Sequence, residues 1–154
     1  MNTQTTATLP KKILVVDDSR IILQMLSEAL VAKGYQVLIA TDGSQAASLV
    51  RTEKPDLILL DLIFPLDVAF VGGGLRDGFL IIEWLRRMDE GKHVPIIVIS
   101  GAEPEKYQAR ALAAGAVAFF HKPVNQDELI AAIHATLGDN IAGEVPVAGQ
   151  DFDV

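Results

Sequence analysis

The sequence predicts a doubly wound α/β fold, with a five-stranded parallel sheet and five helices packed on its two faces. Five short apolar runs alternate with five segments of helical spacing along the 154 residues. Three of the runs are almost purely Ile, Val and Leu, as strands are when helices cover both faces of a parallel sheet. A closed barrel would need about eight strand–helix units. Five units therefore favour an open, three-layered sandwich with crossover helices.

The elements alternate strictly from the first strand to the last helix. Strands are predicted at residues 13–16, 35–40, 57–60, 96–99 and 116–120. The second run is the least purely apolar and is interpreted as an edge strand. Helices are predicted at residues 19–33, 44–53, 79–89, 104–114 and 125–137.

Spacing and capping residues support the helices individually. The first helix is expected to end at Gly34, and its apolar face is formed by Ile22, Leu23, Leu26 and Leu30. The last helix begins with Asn125 as a capping residue and has Glu128 three residues later, a pattern that resembles a capping box. Trp84 falls on the apolar face of the third helix and is predicted to be a core residue.

One domain is predicted over residues 11–138, because the chain length suits a single core. Residues 1–10 are interpreted as a flexible N-terminal arm and residues 139–154 as an acidic flexible tail. A connection at residues 66–76, which includes Gly72, Gly73 and Gly74, is long for this fold and is also predicted to be flexible.

Composition excludes several classes of function. The net charge of −7 and the pI near 4.8 argue against nonspecific nucleic-acid binding, which depends on Lys and Arg. No cysteine is present, so disulfides, thiolate metal sites and cysteine nucleophiles are excluded, and a reducing compartment such as the cytoplasm is expected. No targeting segment is recognised at residues 1–9, and no apolar stretch approaches the ~20 residues of a membrane span.

Polar side chains follow four of the predicted strands at the point where each strand ends. Asp17 and Asp18 follow the first strand, Asp61 the third, Ser100 the fourth and Lys122 the fifth. Ligands of open α/β sheets bind at the carboxyl ends of the strands, so these side chains are expected to meet at one rim. Carboxylates held close together repel one another unless a cation or a proton relieves them. Oxygen ligands of this kind suit a hard ion such as Mg²⁺.

A carboxylate beside a metal and a lysine can perform phosphoryl transfer. Asp61 could attack a phosphoryl group and form an aspartyl phosphate, while Ser100 and Lys122 bind its oxygens. An acidic residue at a strand end is often merely solvated, and a serine there often only caps a turn. The five residues together make the functional interpretation the stronger one. The three histidines, His93, His121 and His134, lack the spacing of metal ligands.

At these positions the sequence resembles the receiver domains of two-component response regulators, over residues 11–137. Its motif residues are Asp17 and Asp18, the run from Asp61 through Leu62, Ile63, Phe64 and Pro65, Asp77 with Gly78, Ser100 with Gly101, Gly115 with Ala116, and the run from Phe119 through Phe120, His121, Lys122 and Pro123. The resemblance implies a flavodoxin-like sheet with strand order 2-1-3-4-5. It also implies that residues 66–76 contain an insertion of about nine residues relative to the family.

The resemblance also implies a role for each site residue. Asp61 would be phosphorylated, and it would hold Mg²⁺ together with Asp18, Asp17 and the backbone carbonyl of Ile63. Lys122 would pair with the phosphate and Ser100 would move toward it. Phe119, three residues before the lysine, matches the aromatic switch position. The protein would then be a phosphoacceptor that promotes its own phosphorylation and dephosphorylation, rather than an enzyme with a released product.

The expected partners follow from the same resemblance. A sensor histidine kinase or phosphotransfer protein would supply the phosphoryl group, and a downstream protein would bind the face formed by the fourth helix, fifth strand and fifth helix. The residues expected on that face include Glu105, Lys106, Tyr107 and Arg110. Too few residues follow the match for an output domain, so output through a partner is expected, with no nucleic acid or membrane involved and a homodimer possible.

Two other functions remain open from the sequence. The first is an interaction module that keeps the site residues but works without phosphorylation. The second is a hydrolase that forms an aspartyl intermediate on a related α/β fold. Such hydrolases place a second Asp close to the nucleophile, whereas Asp61 is followed by Leu62 and Ile63.

Overall fold

The computed structural model describes residues 9–62, 78–101 and 103–138 of the chain. The strands are β1 (Lys12–Val16), β2 (Gln36–Ala40), β3 (Leu57–Leu60), β4 (Ile96–Ser100) and β5 (Ala118–His121). The helices are α1 (Arg20–Ala32), α2 (Gly43–Glu53), α3 (Gly78–Arg87), α4 (Pro104–Ala114) and α5 (Gln126–Leu137).

All five strands are parallel and lie in the order β2-β1-β3-β4-β5, which confirms the predicted sheet and its order. Each residue of β3 and β4 is buried, because helices cover both faces of the central strands. One core cluster joins the sheet to α1 and α5, and a second joins its other face to α2, α3 and α4. The doubly wound arrangement is therefore confirmed.

Gly34 and Asn125 lie at helix ends as predicted, and Ser19 is a further capping residue. The Ser19 side chain accepts a hydrogen bond from the N–H of Ile22 at the start of α1, and Gly34 beyond its end has a φ of 94°, which suits a residue without a side chain. The Asn125 side chain accepts from the N–H of Glu128 at 3.0 Å, so Asn125 caps α5 as predicted.

Several element ends differ from the predictions by one or two residues, and two differences have a clear physical cause. The fifth strand begins at Ala118 rather than at residue 116, because Ala116 donates its N–H to Ala111 and closes the turn after α4. Trp84 is half-buried and lies outside both core clusters. The buried side chains of α3 are those of Phe79, Ile81, Ile82 and Leu85, so Trp84 lies at the border of the apolar face.

Several sequence-based predictions lie outside the described residues. They are the loop at residues 66–76, the tail at residues 139–154, and all of the N-terminal arm except residues 9 and 10. Over the ranges that are described, no helix combines the length and the apolar character that crossing a membrane requires.

Arg86, near the end of α3, connects two turns at the edge of the sheet opposite the predicted site. Its guanidinium donates to the carbonyl oxygens of Gly91 at 2.9 Å, Val94 at 2.7 Å and Gly115 at 3.2 Å. Burial lowers the pKa of the guanidinium. The three bonds join the end of α3 to the turn before β4 and to the turn after α4.

We expect Arg86→Ala to lower the free energy of unfolding by about 2 kcal/mol, because three carbonyl groups lose a charged donor. Urea unfolding of the variant would measure this loss. The neighbouring Arg87 is exposed, and Arg87→Ala is the matched control, for which we expect a change within about 0.5 kcal/mol. Equal losses in the two variants would show that the three bonds contribute nothing specific.

Candidate functional site

The carboxyl ends of β1 and β3 place two aspartates side by side. Asp17 directly follows β1 and Asp61 directly follows β3. The N–H of Asp61 donates to the carbonyl of Val16 at 3.0 Å, and the N–H of Asp17 donates to that of Ala40 at 3.1 Å. These bonds continue the sheet for one residue beyond the strands. The backbone of both aspartates is therefore fixed by the sheet itself.

Lys122 lies between the two carboxylates. Its Nζ is 2.8 Å from Asp17 Oδ2 and 3.3 Å from Asp61 Oδ2. The lysine side chain is 23% exposed, whereas those of Asp17 and Asp61 are only 4% and 6% exposed. One ammonium group is thus shared by two buried carboxylates. The contact between Lys122 and Asp17 joins residues that are 105 positions apart in the chain.

Ser19 orients the carboxylate of Asp17, and sequence reasoning assigned it no part in the site. Its N–H donates to Asp17 Oδ1 at 2.9 Å, which leaves Oδ2 directed at Lys122. The same residue caps α1 through its hydroxyl. The signal in the sequence is an Asp followed two residues later by a capping Ser, a pattern typical of a local side-chain turn.

Asp18 completes a group of three carboxylates. One oxygen each from Asp17, Asp18 and Asp61 lies within 4.8 Å of the others. Asp18 is exposed, so water can reach this side of the group. Three carboxylates and one ammonium leave a net charge of −2, which a divalent cation would neutralise. The donor set therefore fits Mg²⁺, which takes oxygen ligands and retains several waters.

Ser100 and Phe119 lie on the neighbouring strands β4 and β5. Ser100 is fully buried at the end of β4, and its carbonyl accepts the N–H of Lys122 at 2.9 Å. Phe119 pairs in register with Val98 and packs, half-buried, against the core cluster that contains Ala111. The structure thus places the backbone of Ser100 beside that of Lys122, and the predicted aromatic residue against the core cluster on the face covered by α2, α3 and α4. Ile63 lies outside the described residues.

The environment of Lys122 favours its charged form. Burial of the ammonium lowers its pKa, but the hydrogen bond that it donates to Asp17 and the charges of Asp61 and Asp17 outweigh this, so that the pKa is raised above the ordinary value of 10.5. A raised lysine pKa adds stability that is fully present below the unfolded-state pKa and is lost as pH rises through the folded-state pKa.

We therefore expect the stability advantage of the wild type over Lys122→Met to be constant from neutral pH to about pH 10 and to shrink at higher pH. Thermal unfolding of both proteins along a pH series would measure the difference. The exposed Lys11 supplies the control variant Lys11→Met, for which no such pH-dependent difference is expected. An advantage that stays constant through pH 12 would contradict the assignment of a charged Lys122.

The family of response regulator receiver domains matches residues 13–134 of this chain. Among curated relatives, the polar-differentiation response regulator DivK of Brucella anthropi is 28% identical over 131 residues, which cover 85% of this chain and 99% of that protein. The response regulator MprA of Mycolicibacterium vanbaalenii is 33% identical over 140 residues, or 88% of this chain. This chain spans only 56% of the length of MprA.

Solved structures show the same similarity. The chemotaxis response regulator CheY4 of Vibrio cholerae has a TM-score of 0.70 and 31% identity, over 83% of this chain and 99% of that one. The receiver domain of the sensor histidine kinase PA1611 of Pseudomonas aeruginosa has a TM-score of 0.71 and 25% identity, over 84% of this chain and 99% of that one. The PA1611 structure contains a magnesium ion coordinated in the active site cleft.

Proposed function

We propose that Asp61 is the phosphoacceptor of this chain, which belongs to the response regulator receiver domain family of two-component signalling. The observation that carries the proposal is the position of the Asp61 carboxylate, 3.3 Å from a lysine that also contacts Asp17. A carboxylate fixed at a strand end beside a cation is positioned to attack phosphorus and to have its product stabilised.

Mg²⁺ would be held by Asp17, Asp18 and Asp61, with the backbone carbonyl of Ile63 as a further ligand. The carboxylates supply the charge that the ion requires, since together with Lys122 they carry a net charge of −2. When bound, Mg²⁺ would supply positive charge that neutralises the phosphoryl oxygens during transfer to Asp61. The magnesium ion in the PA1611 receiver domain supports this assignment.

The transfer forms one bond and breaks one. An oxygen of Asp61 attacks the phosphorus of a phosphohistidine, the P–N bond breaks, and the imidazole leaves with the electron pair and takes up a proton. The Asp61 carboxylate loses its charge when the acyl phosphate forms. Lys122 then pairs with a charged oxygen of the phosphoryl group instead. The hydroxyl of Ser100 donates to a second phosphoryl oxygen.

Movement of Ser100 toward the phosphoryl group would release Phe119 to turn inward between β5 and α4. This changes the face formed by α4, β5 and α5, which we propose as the binding surface for a downstream protein. Leu112 of α4 and Val117, in the turn before β5, are exposed apolar side chains that are 42% and 52% accessible. A histidine kinase or phosphotransfer protein would be the donor, and the change in affinity would be a population shift.

The function can be tested with a small phosphodonor such as acetyl phosphate. We expect covalent labelling that depends on Mg²⁺ and approaches one phosphoryl group per chain, measured by intact mass. Rapid turnover of a generic phosphate ester without accumulation of label would instead indicate a hydrolase. Proteins that bind this chain can be captured by pull-down with and without acetyl phosphate. If labelling occurs but the same proteins bind equally in both cases, the chain is an interaction module that works independently of phosphorylation.

We expect Asp18→Asn to weaken Mg²⁺ binding at least about tenfold, because it removes the most accessible charged ligand of the proposed site. Isothermal titration calorimetry with MgCl₂ would measure the change. The Asp89 side chain is 92% exposed and forms an ion pair with Lys92 at 3.4 Å, so Asp89→Asn is a matched loss of one surface charge. Equal weakening in both variants would indicate nonspecific charge attraction in place of coordination.

A further inference from the structure

The beginning of α3 is held against the residue that follows the proposed phosphoacceptor. The N–H of Gly78 donates to the carbonyl of Leu62 at 2.9 Å. A Cβ atom at Gly78 would lie 2.5 Å from the Cα atom of Leu62, so the two backbone segments are in direct contact. The first turn of α3 is therefore tied directly to the backbone that follows Asp61.

Phe79, the next residue of α3, connects that turn to α4. Its side chain is 5% exposed. The guanidinium carbon of Arg110 lies 3.9 Å from the centre of the Phe79 ring, and the ring of Tyr107 lies 6.1 Å away at an angle of 30°. Both partners belong to α4. A buried ring on one helix is thus contacted by a cation and a second ring on the other.

We infer that Phe79, Tyr107 and Arg110 form a mechanical link that couples the state of Asp61 to the position of α4. The link takes a different route from Asp61 than Ser100 and Phe119 do, because it passes through α3, and it meets Phe119 only in the core cluster against which Tyr107 and Phe119 both pack. Contact with the ring face gives the Arg110 guanidinium a defined position that a flexible surface arginine would not have. The inference rests on the proposed phosphorylation of Asp61.

Phe79 and Arg110 differ in how much the stability of the fold depends on them. Phe79 belongs to the core cluster, whereas Arg110 is exposed on α4 and can be changed without opening a cavity. Arg110→Gln removes the cation while keeping a side chain of polar character. Phe79→Leu keeps an apolar side chain and removes the ring. Arg87→Gln, at an exposed position on the outer side of α3, removes a similar charge away from the link and is the control.

The test is the response of backbone amide signals to Mg²⁺ with beryllium fluoride, an analogue of the phosphoryl group, in isotope-labelled full-length protein. In the wild type and in Arg87→Gln, we expect shifts both in α4 and in β5. In Arg110→Gln and Phe79→Leu, we expect the shifts of α4 to fall to about half of their wild-type size or less, because the contact between the Arg110 guanidinium and the Phe79 ring is lost, while those of β5 are retained.

The outcomes separate this inference from the function on which it rests. An α4 response that is unchanged in both variants would overturn the link and leave the proposed function intact. Absence of shifts anywhere in the wild type, together with absence of acetyl phosphate labelling, would overturn both. A fall of the β5 response in Arg110→Gln in proportion to that of α4 would also contradict the link, because it would show that the two responses share one route.

Discussion

Replacing Asp61 with Asn is expected to abolish labelling by acetyl phosphate, with a loss of at least about 100-fold in the amount of covalent phosphoryl group. The amide of Asn has the shape of the carboxylate but cannot act as the nucleophile, because its nitrogen has no available electron pair and its oxygen carries no charge. Intact mass measured over time with excess donor would detect the loss.

Two controls make the Asp61→Asn result specific. Asp89→Asn removes one exposed acidic charge and should label as the wild type does. Circular dichroism and thermal unfolding of Asp61→Asn should show a folded protein, since Asn preserves the size of the side chain. Labelling of Asp61→Asn at a level close to that of the wild type would mean that another residue accepts the phosphoryl group.

The second large effect concerns stability. We expect Lys122→Met, measured without Mg²⁺, to lower the free energy of unfolding by about 3 kcal/mol. The substitution leaves Asp17 and Asp61, with side chains only 4% and 6% exposed, as two adjacent carboxylates without their shared cation. Removal of one partner from a buried ion pair is costly because the remaining charge is desolvated without compensation.

Mg²⁺ and a second substitution distinguish this electrostatic cause from a loss of packing. Saturating Mg²⁺ should raise the melting temperature of Lys122→Met by more than that of the wild type, because the ion replaces the missing positive charge. The double variant with Asp61→Asn should be more stable than Lys122→Met alone, since only one buried carboxylate remains. If neither treatment restores stability, the loss is one of packing.

The sequence was sufficient to predict the fold and the meeting of the site residues. Uninterrupted apolar strands such as 57–60 determine a parallel sheet, and parallel strands all deliver the residue that follows them to the same rim. That geometry brings Asp17, Asp61 and Lys122 together regardless of their separation in the chain. The start of the fifth strand was predicted two residues too early, because the apolar run continues through the turn at Ala116 and Val117.

Contacts between side chains and distant backbone were not predictable in the same way. The three bonds of Arg86 depend on where two turns pass each other, and no local pattern encodes that proximity. The position of Arg110 over Phe79 depends on how α4 is rotated against α3. Ser19 was predicted as the first residue of the helix at 19–33, and its bond to Asp17 became evident only once the carboxylate direction was known.

The location of the phosphoryl group tests the central claim most directly. After Mg²⁺-dependent labelling with acetyl phosphate, proteolysis and mass spectrometry should find the added group on the peptide that contains Asp61, and on no other peptide at comparable yield. Recovery of the label on a peptide that lacks residue 61 would contradict the account, because the shared-lysine geometry would then have no part in accepting the phosphoryl group.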